Sequence, residues 1–185
     1  MFSLIDTLVN GAKGGITAGL KGSADVASTV IDVAKNTTVS VLSEAGDFAK
    51  EALDVPASLI NGAISGVSEV GISVITAIKG VVNGTIQGLM QSGCEQDAAI
   101  QGVVEQTMHS AKDMGLDVSK AAVESVQGAI DAVSQVGGDT LSATKTAVMA
   151  ATDVARMIGS DTFDTVKETL STSVIGAKEI IESLK

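Results

Sequence analysis

The sequence predicts an all-α chain: one long, nearly continuous helix built on an eleven-residue (hendecad) repeat and assembled in parallel as a right-handed coiled coil or α-helical barrel. Three observations predict it. Large aliphatic residues recur every eleven positions from Val9 into the C-terminal half. The apolar residues are almost all Ala, Val, Ile and Leu, with three Phe, no Tyr and no Trp, which suits close, repetitive contacts between helices better than an irregular interior. One Pro in 185 residues leaves few of the turns at which compact domains use it.

The repeat begins to show in "TVIDVAKNTTVSVLSEAGDFAKEAL", where Val30-Ile31, Val41-Leu42 and Ala52-Leu53 stand eleven apart. With slots numbered one to eleven from Met1, slot nine carries Val9, Leu20, Ile31, Leu42, Leu53, Ile64, Ile75 and Ile86, and after Asp97 it resumes through Ile130, Leu141 and Phe163. Slots one, four, five, eight and nine hold 60 apolar residues at 85 positions, against 23 at the other 100. Eleven residues in three turns is ~3.67 per turn, slightly above that of a straight helix, so a helix keeping this stripe on its partner coils right-handed. The apolar slots cover about 130° of the circumference, wider than the seam of a two-stranded coil. The eleven residues from Val9 to Phe163 named above are therefore the expected oligomer core.

The charges repeat too. Slot two carries Lys13, Lys35, Lys79, Lys112, Lys145, Arg156, Lys167 and Lys178, eight of the twelve basic residues. Slots three, seven and ten carry 17 of the 22 acids, among them Asp25, Asp47, Glu51, Asp117, Asp131, Asp153 and Glu168. A basic edge and an acidic flank suit parallel helices that meet head to tail around a ring.

Two stretches weaken the stripe. Pro56 in "LDVPASL" removes a backbone donor and predicts a kink or a change of packing. "QSGCEQD" puts polar residues in core slots, so a helical hairpin turned at 91–97 is the alternative to one helix of roughly 270–280 Å. A turn of arbitrary length would keep the eleven-residue phase only by chance, which favours the continuous helix over the whole of 1–185. "QVGGDT" at Gly137-Gly138 is a weaker turn candidate. Between Val55 and Met90 the only charges are Glu69 and Lys79. This weakly charged section, 55–90, is long enough for a bilayer, which needs about 20 residues. Its Gly62-x-x-x-Gly66 and Gly80-x-x-x-Gly84-x-x-x-Gly88 spacings let helices approach closely in a membrane. Contact with lipid or a membrane is expected through this section, and membrane association is favoured over the cytoplasm.

No catalytic, cofactor or metal site is expected. His109, the single histidine, falls in a polar slot; Cys94 has no basic neighbour to favour its thiolate; and the carboxylates follow the repeat rather than metal-ligand spacing. A net charge of -10 and the scarcity of aromatics argue against nucleic acid. The N-terminus lacks the basic region and apolar run of a signal peptide.

The eleven-residue pattern resembles that of right-handed hendecad coiled coils, with 55–90 resembling their membrane-spanning members. "VITAIKGVVNGTIQGL" also resembles the 11-mer repeats of perilipins and, more loosely, synucleins, which coat lipid surfaces. The first resemblance implies a non-enzymatic structural homo-oligomer, a barrel or fibre whose partner is itself; the second, an amphipathic lipid-surface coat that folds on binding. A third reading is a compact bundle hinged near Cys94.

Overall fold

The computed structural model describes residues 2–21, 25–45 and 54–183, and among these are nine helices and no strand. They are α1 (Phe2–Leu20), α2 (Val26–Ala45), α3 (Asp54–Glu69), α4 (Val74–Gln91), α5 (Gln96–Asp113), α6 (Val118–Gln135), α7 (Thr140–Ile158), α8 (Ser160–Ser173) and α9 (Ala177–Ser183). Each helix packs against the next and against the next but one. Odd-numbered helices therefore form one layer and even-numbered helices a second, with the core between them. This is a multi-helix repeat array.

The expectation of one continuous helix in a parallel right-handed coiled coil or barrel is thus overturned, and so is the two-helix hairpin. The turn at 91–97 exists, and Cys94 stands in it, but it is one of a series. The error has a definite physical cause. Helices α4, α5 and α6 are each 18 residues long and the linkers 92–95, 114–117 and 136–139 are each four. One helix plus one linker is therefore twenty-two residues, twice eleven. Eleven residues come close to three helical turns, so positions eleven apart share a face within a helix; positions twenty-two apart share a place in successive helices. A turn of fixed length keeps the phase that a turn of arbitrary length would lose.

The same glycine makes most of these turns. Gly71, Gly93, Gly115 and Gly137 stand twenty-two apart with φ of 80°, 92°, 68° and 75°, in the left-handed region where only glycine is free of Cβ crowding. After each, the chain closes a Schellman motif: Leu116 N donates to Ala111 O at 2.8 Å and Gly115 N to Lys112 O at 3.0 Å, and Cys94 N donates to Leu89 O and Gly93 N to Met90 O, both at 3.0 Å. Two residues past Gly115 and Gly137 an aspartate caps the next helix. Asp117 Oδ1 accepts from Ser119 N and Lys120 N, and Asp139 Oδ1 from Leu141 N and Ser142 N, at 3.0–3.2 Å. Asp25 does the same for α2, accepting from Ala27 N and Ser28 N; those bonds hold its carboxyl below the usual carboxylate range because they favour the charged form. Pro56 makes no kink inside a helix. It falls in the first turn of α3, where its missing N–H has no intrahelical acceptor to lose.

The core joins large aliphatics in the N-terminal half, such as Ile16, Ile60, Ile64, Ile78 and Ile86, to alanines in the C-terminal half, such as Ala121, Ala129, Ala147 and Ala151, all nearly or fully buried. The glycine series of 55–90 serves close approach within the chain. A Cβ on Gly62 would stand 2.5 Å from Val9 O, and one on Gly66 2.8 Å from Lys13 O, so both glycines let α3 lie directly on the α1 backbone. Gly80, Gly84 and Gly88 bring α4 onto α2 in the same way. Section 55–90 is divided between α3 and α4 by residues 70–73, and no helix among the described residues is long and apolar enough to cross a membrane.

Candidate binding site

Slot nine, the expected oligomer core, alternates in burial. Leu20, Leu42, Ile64 and Ile86 are buried inside the chain; Val9, Ile31, Ile75, Ile130 and Phe163 are half-buried; Leu141 is exposed. Leu53, with Asp47 and Glu51, lies outside the described residues. From Val9 to Ile86 the described members thus alternate in burial with a period of twenty-two, and of the less buried ones Ile75 and Leu141 are the second residues of α4 and α7. Phe163 stacks between two cations, with Arg156 and Lys167 each 4.8 Å from the ring centroid. That arrangement is worth ~0.5–1 kcal/mol per cation at exposed sites.

The basic edge divides into three groups. Lys13 reaches from α1 to Glu69 of α3 at 3.2 Å, and Lys79 from α4 to Asp131 of α6 at 2.8 Å. Lys35, Arg156 and Lys167 pair three residues back along their own helices with Asp32, Asp153 and Asp164. Lys112, Lys145 and Lys178 are exposed and make no ion pair among the described residues. These bridges have half-exposed partners and are worth ~0–1 kcal/mol each.

Lys79 and Asp131 do more than pair: they form the partition between two clefts in line along the even-numbered helices. The first cleft, about 410 Å³, lies between α2, α4 and α6. Val26, Val30 and Ile31 of α2 wall it, with Ile72 and Ala77. Its polar side is Asn83, Glu124 and Gln135 beside the ion pair. Gln87 fixes part of that side, its Nε2 donating to Asn83 Oδ1 and to Gln135 Oε1, both at 2.6 Å. Glu124 has no hydrogen bond or ion pair among the described residues. Burial pushes its carboxyl above the usual range, and the nearby Lys79 charge opposes that rise.

The second cleft, about 560 Å³, runs from the partition past Ile130 to Thr144, Leu141, Val174 and Ile175. Leu141 is 79% exposed and Ile175 98%, so this cleft ends in two large aliphatic side chains facing solvent. His109 and Cys94, both half-buried, border neither cleft. Among the described residues no group of three or more His, Cys, Asp or Glu is arranged to hold a metal ion.

Slot position marked Lys79 and Asp131 as edge and flank, but it did not distinguish Glu124 from the other acids of slot three. The clefts depend on where the turns fall, and the twenty-two-residue glycine spacing was the available signal for that.

No protein-family model matches this chain, and no curated protein does. Among solved structures it is similar to the crystal structure of a de novo designed helical repeat protein, with a TM-score of 0.56 and 18% identity over 98% of this chain and 97% of that one. At that identity the likeness concerns the fold alone, and it agrees with the two-layered repeat array.

Proposed function

We propose that this chain is a non-enzymatic helical-repeat scaffold that associates with a second copy of itself across the second cleft. The observation that carries the reading is the exposure of Leu141 and Ile175 at the rim of that cleft, 79% and 98%. The second residue of α5 is Asp97 and that of α6 is Ser119, while the second residue of α7 is Leu141. Helix-start geometry thus accepts a polar residue at this position; the aliphatic Ile75, second in α4, packs against the core, whereas Leu141 stays 79% exposed and gains little inside the chain. Covering it and Ile175 removes apolar surface from water, at ~25 cal/mol per Å². A second copy suits this cleft because it is flanked by Lys79 beside Asp131, opposite charges that a two-fold related copy can answer in kind.

Sedimentation velocity of the purified chain tests the reading. A dimer or larger species is expected, strengthened by added salt, because two chains of charge -10 repel across an apolar contact and salt screens the repulsion. Leu141→Glu with Ile175→Glu should return it to monomer without loss of helical circular dichroism. A wild-type chain that stays monomeric at high concentration overturns the proposal. If that monomer instead binds phosphatidylcholine vesicles and the double variant does not, the exposed pair serves a lipid surface.

A further inference from the structure

We propose that the first cleft is a binding site for a small amphipathic amine, its apolar body against Val30, Ile31 and Ile72 and its ammonium on the Glu124 carboxylate. Three observations on different groups lead there. At about 410 Å³ the cleft falls within the ~300–1,000 Å³ of ordinary small-ligand sites. Its walls are mainly aliphatic, with a few polar groups on one side, the usual division between a surface that binds and groups that orient. Its charges also do not cancel. Lys79 is engaged by Asp131 at 2.8 Å, so it only partly offsets Glu124, which stands beside an apolar wall with no hydrogen bond or ion pair among the described residues.

A half-buried carboxylate there has lost part of its water, and an ammonium donor placed on it adds a charge-assisted hydrogen bond. A neutral ligand of the same shape gains the wall but not the charge. An anionic ligand would meet a cleft whose net charge, from Lys79, Asp131 and Glu124, is already negative. The amide of Gln135 lies beside this site, tied back by Gln87, and keeps an acceptor face for a second donor on the ligand. The inference does not depend on self-association, because Leu141 and Ile175 lie outside this cleft.

Isothermal titration calorimetry of the full chain with cyclohexylmethylamine and with its neutral analogue cyclohexylmethanol provides the test. The amine should bind one molecule per chain and about tenfold or more tighter than the alcohol, the effect of one hydrogen bond to a charged group. Glu124→Gln should remove that preference and leave alcohol binding unchanged. Ala27→Phe, at an exposed position on the wall of the same cleft, should block both ligands. Amide shifts in 15N spectra should map to 26–31 and 76–83. Amine affinity should fall as pH is lowered through the Glu124 titration, which lies above the ordinary carboxylate value because of burial, with Lys79 opposing. Equal affinity for amine and alcohol overturns the proposal, as does an amine preference that survives Glu124→Gln or shifts confined to other helices. A monomeric chain that still shows the amine preference would sink the self-association reading and leave this one standing.

Discussion

A Cβ added to Gly84 would run into the carbonyl oxygen of Ile31 and stand 2.8 Å from Ala34 Cβ and 2.9 Å from Lys35 N. Two of those three atoms are backbone, so nothing nearby can rotate away. A Cβ on Gly14 of α1, also within a helix, meets nothing within 4 Å. The same substitution should therefore act in opposite directions at the two sites. Gly84→Ala forces α4 away from α2 and should cost ~1–3 kcal/mol, as overpacking does. Gly14→Ala should stabilise by ~0.5–1 kcal/mol, because glycine in a helix gives up more backbone freedom than alanine. Urea unfolding midpoints of the two variants decide the matter, and a shift of the same sign in both would show that α4 does not rest on the α2 backbone at this point. The glycine spacing was legible in the sequence as a sign of close approach. What lay across from each glycine was not, because a membrane neighbour and a soluble one demand the same absence of a side chain.

At the scale of the helix and its linker, the apolar stripe was real and the helix type was right, but the chain does not run straight through it. Slot five contained the correction. From Ile60 onward it reads Ile60, Gly71, Val82, Gly93, Val104, Gly115, Val126, Gly137, Val148, Gly159, Leu170, an aliphatic and a glycine by turns. An average over the slot hides that alternation, and a period of twenty-two exposes it. The candidate clefts were less legible, since they lie between helices that only the turns bring together; Lys79 and Asp131 could be placed on an edge and a flank, but not opposite each other. The linker glycines make a direct prediction. Gly115 has φ +68° with open space around a built Cβ, so any penalty there comes from backbone conformation and not from a clash. Gly115→Val should destabilise by ~1–2 kcal/mol, the cost of a left-handed β-branched residue, and Gly115→Asn by less, since Asn tolerates that region. Equal costs for the two in thermal or urea unfolding would mean that the turn is not held in the left-handed form.

Over the whole molecule, the substantial helix contacts run between neighbours and next neighbours, and stability in such arrays is close to a sum of local units and the interfaces between them. Central helices have partners on both sides, whereas α9 packs mainly on α7 and α8. Unfolding should therefore spread inward from an end, and damage should be felt according to where it lies. Met108 of α5 is fully buried in the middle of the array and Ile181 of α9 is 6% exposed at its end. Met108→Ala should cost ~2–5 kcal/mol and lower the amide-exchange protection of α3 to α7 together, because the interfaces on both sides of α5 loosen. Ile181→Ala removes comparable apolar volume, yet it should speed exchange only in α8 and α9, leaving the urea midpoint of the central helices in place. Hydrogen exchange read helix by helix by mass spectrometry separates these outcomes. If Ile181→Ala lowers protection evenly from α1 to α9, the chain unfolds as one cooperative body, and the additive picture of a repeat array fails for it even though the helices are arranged as one.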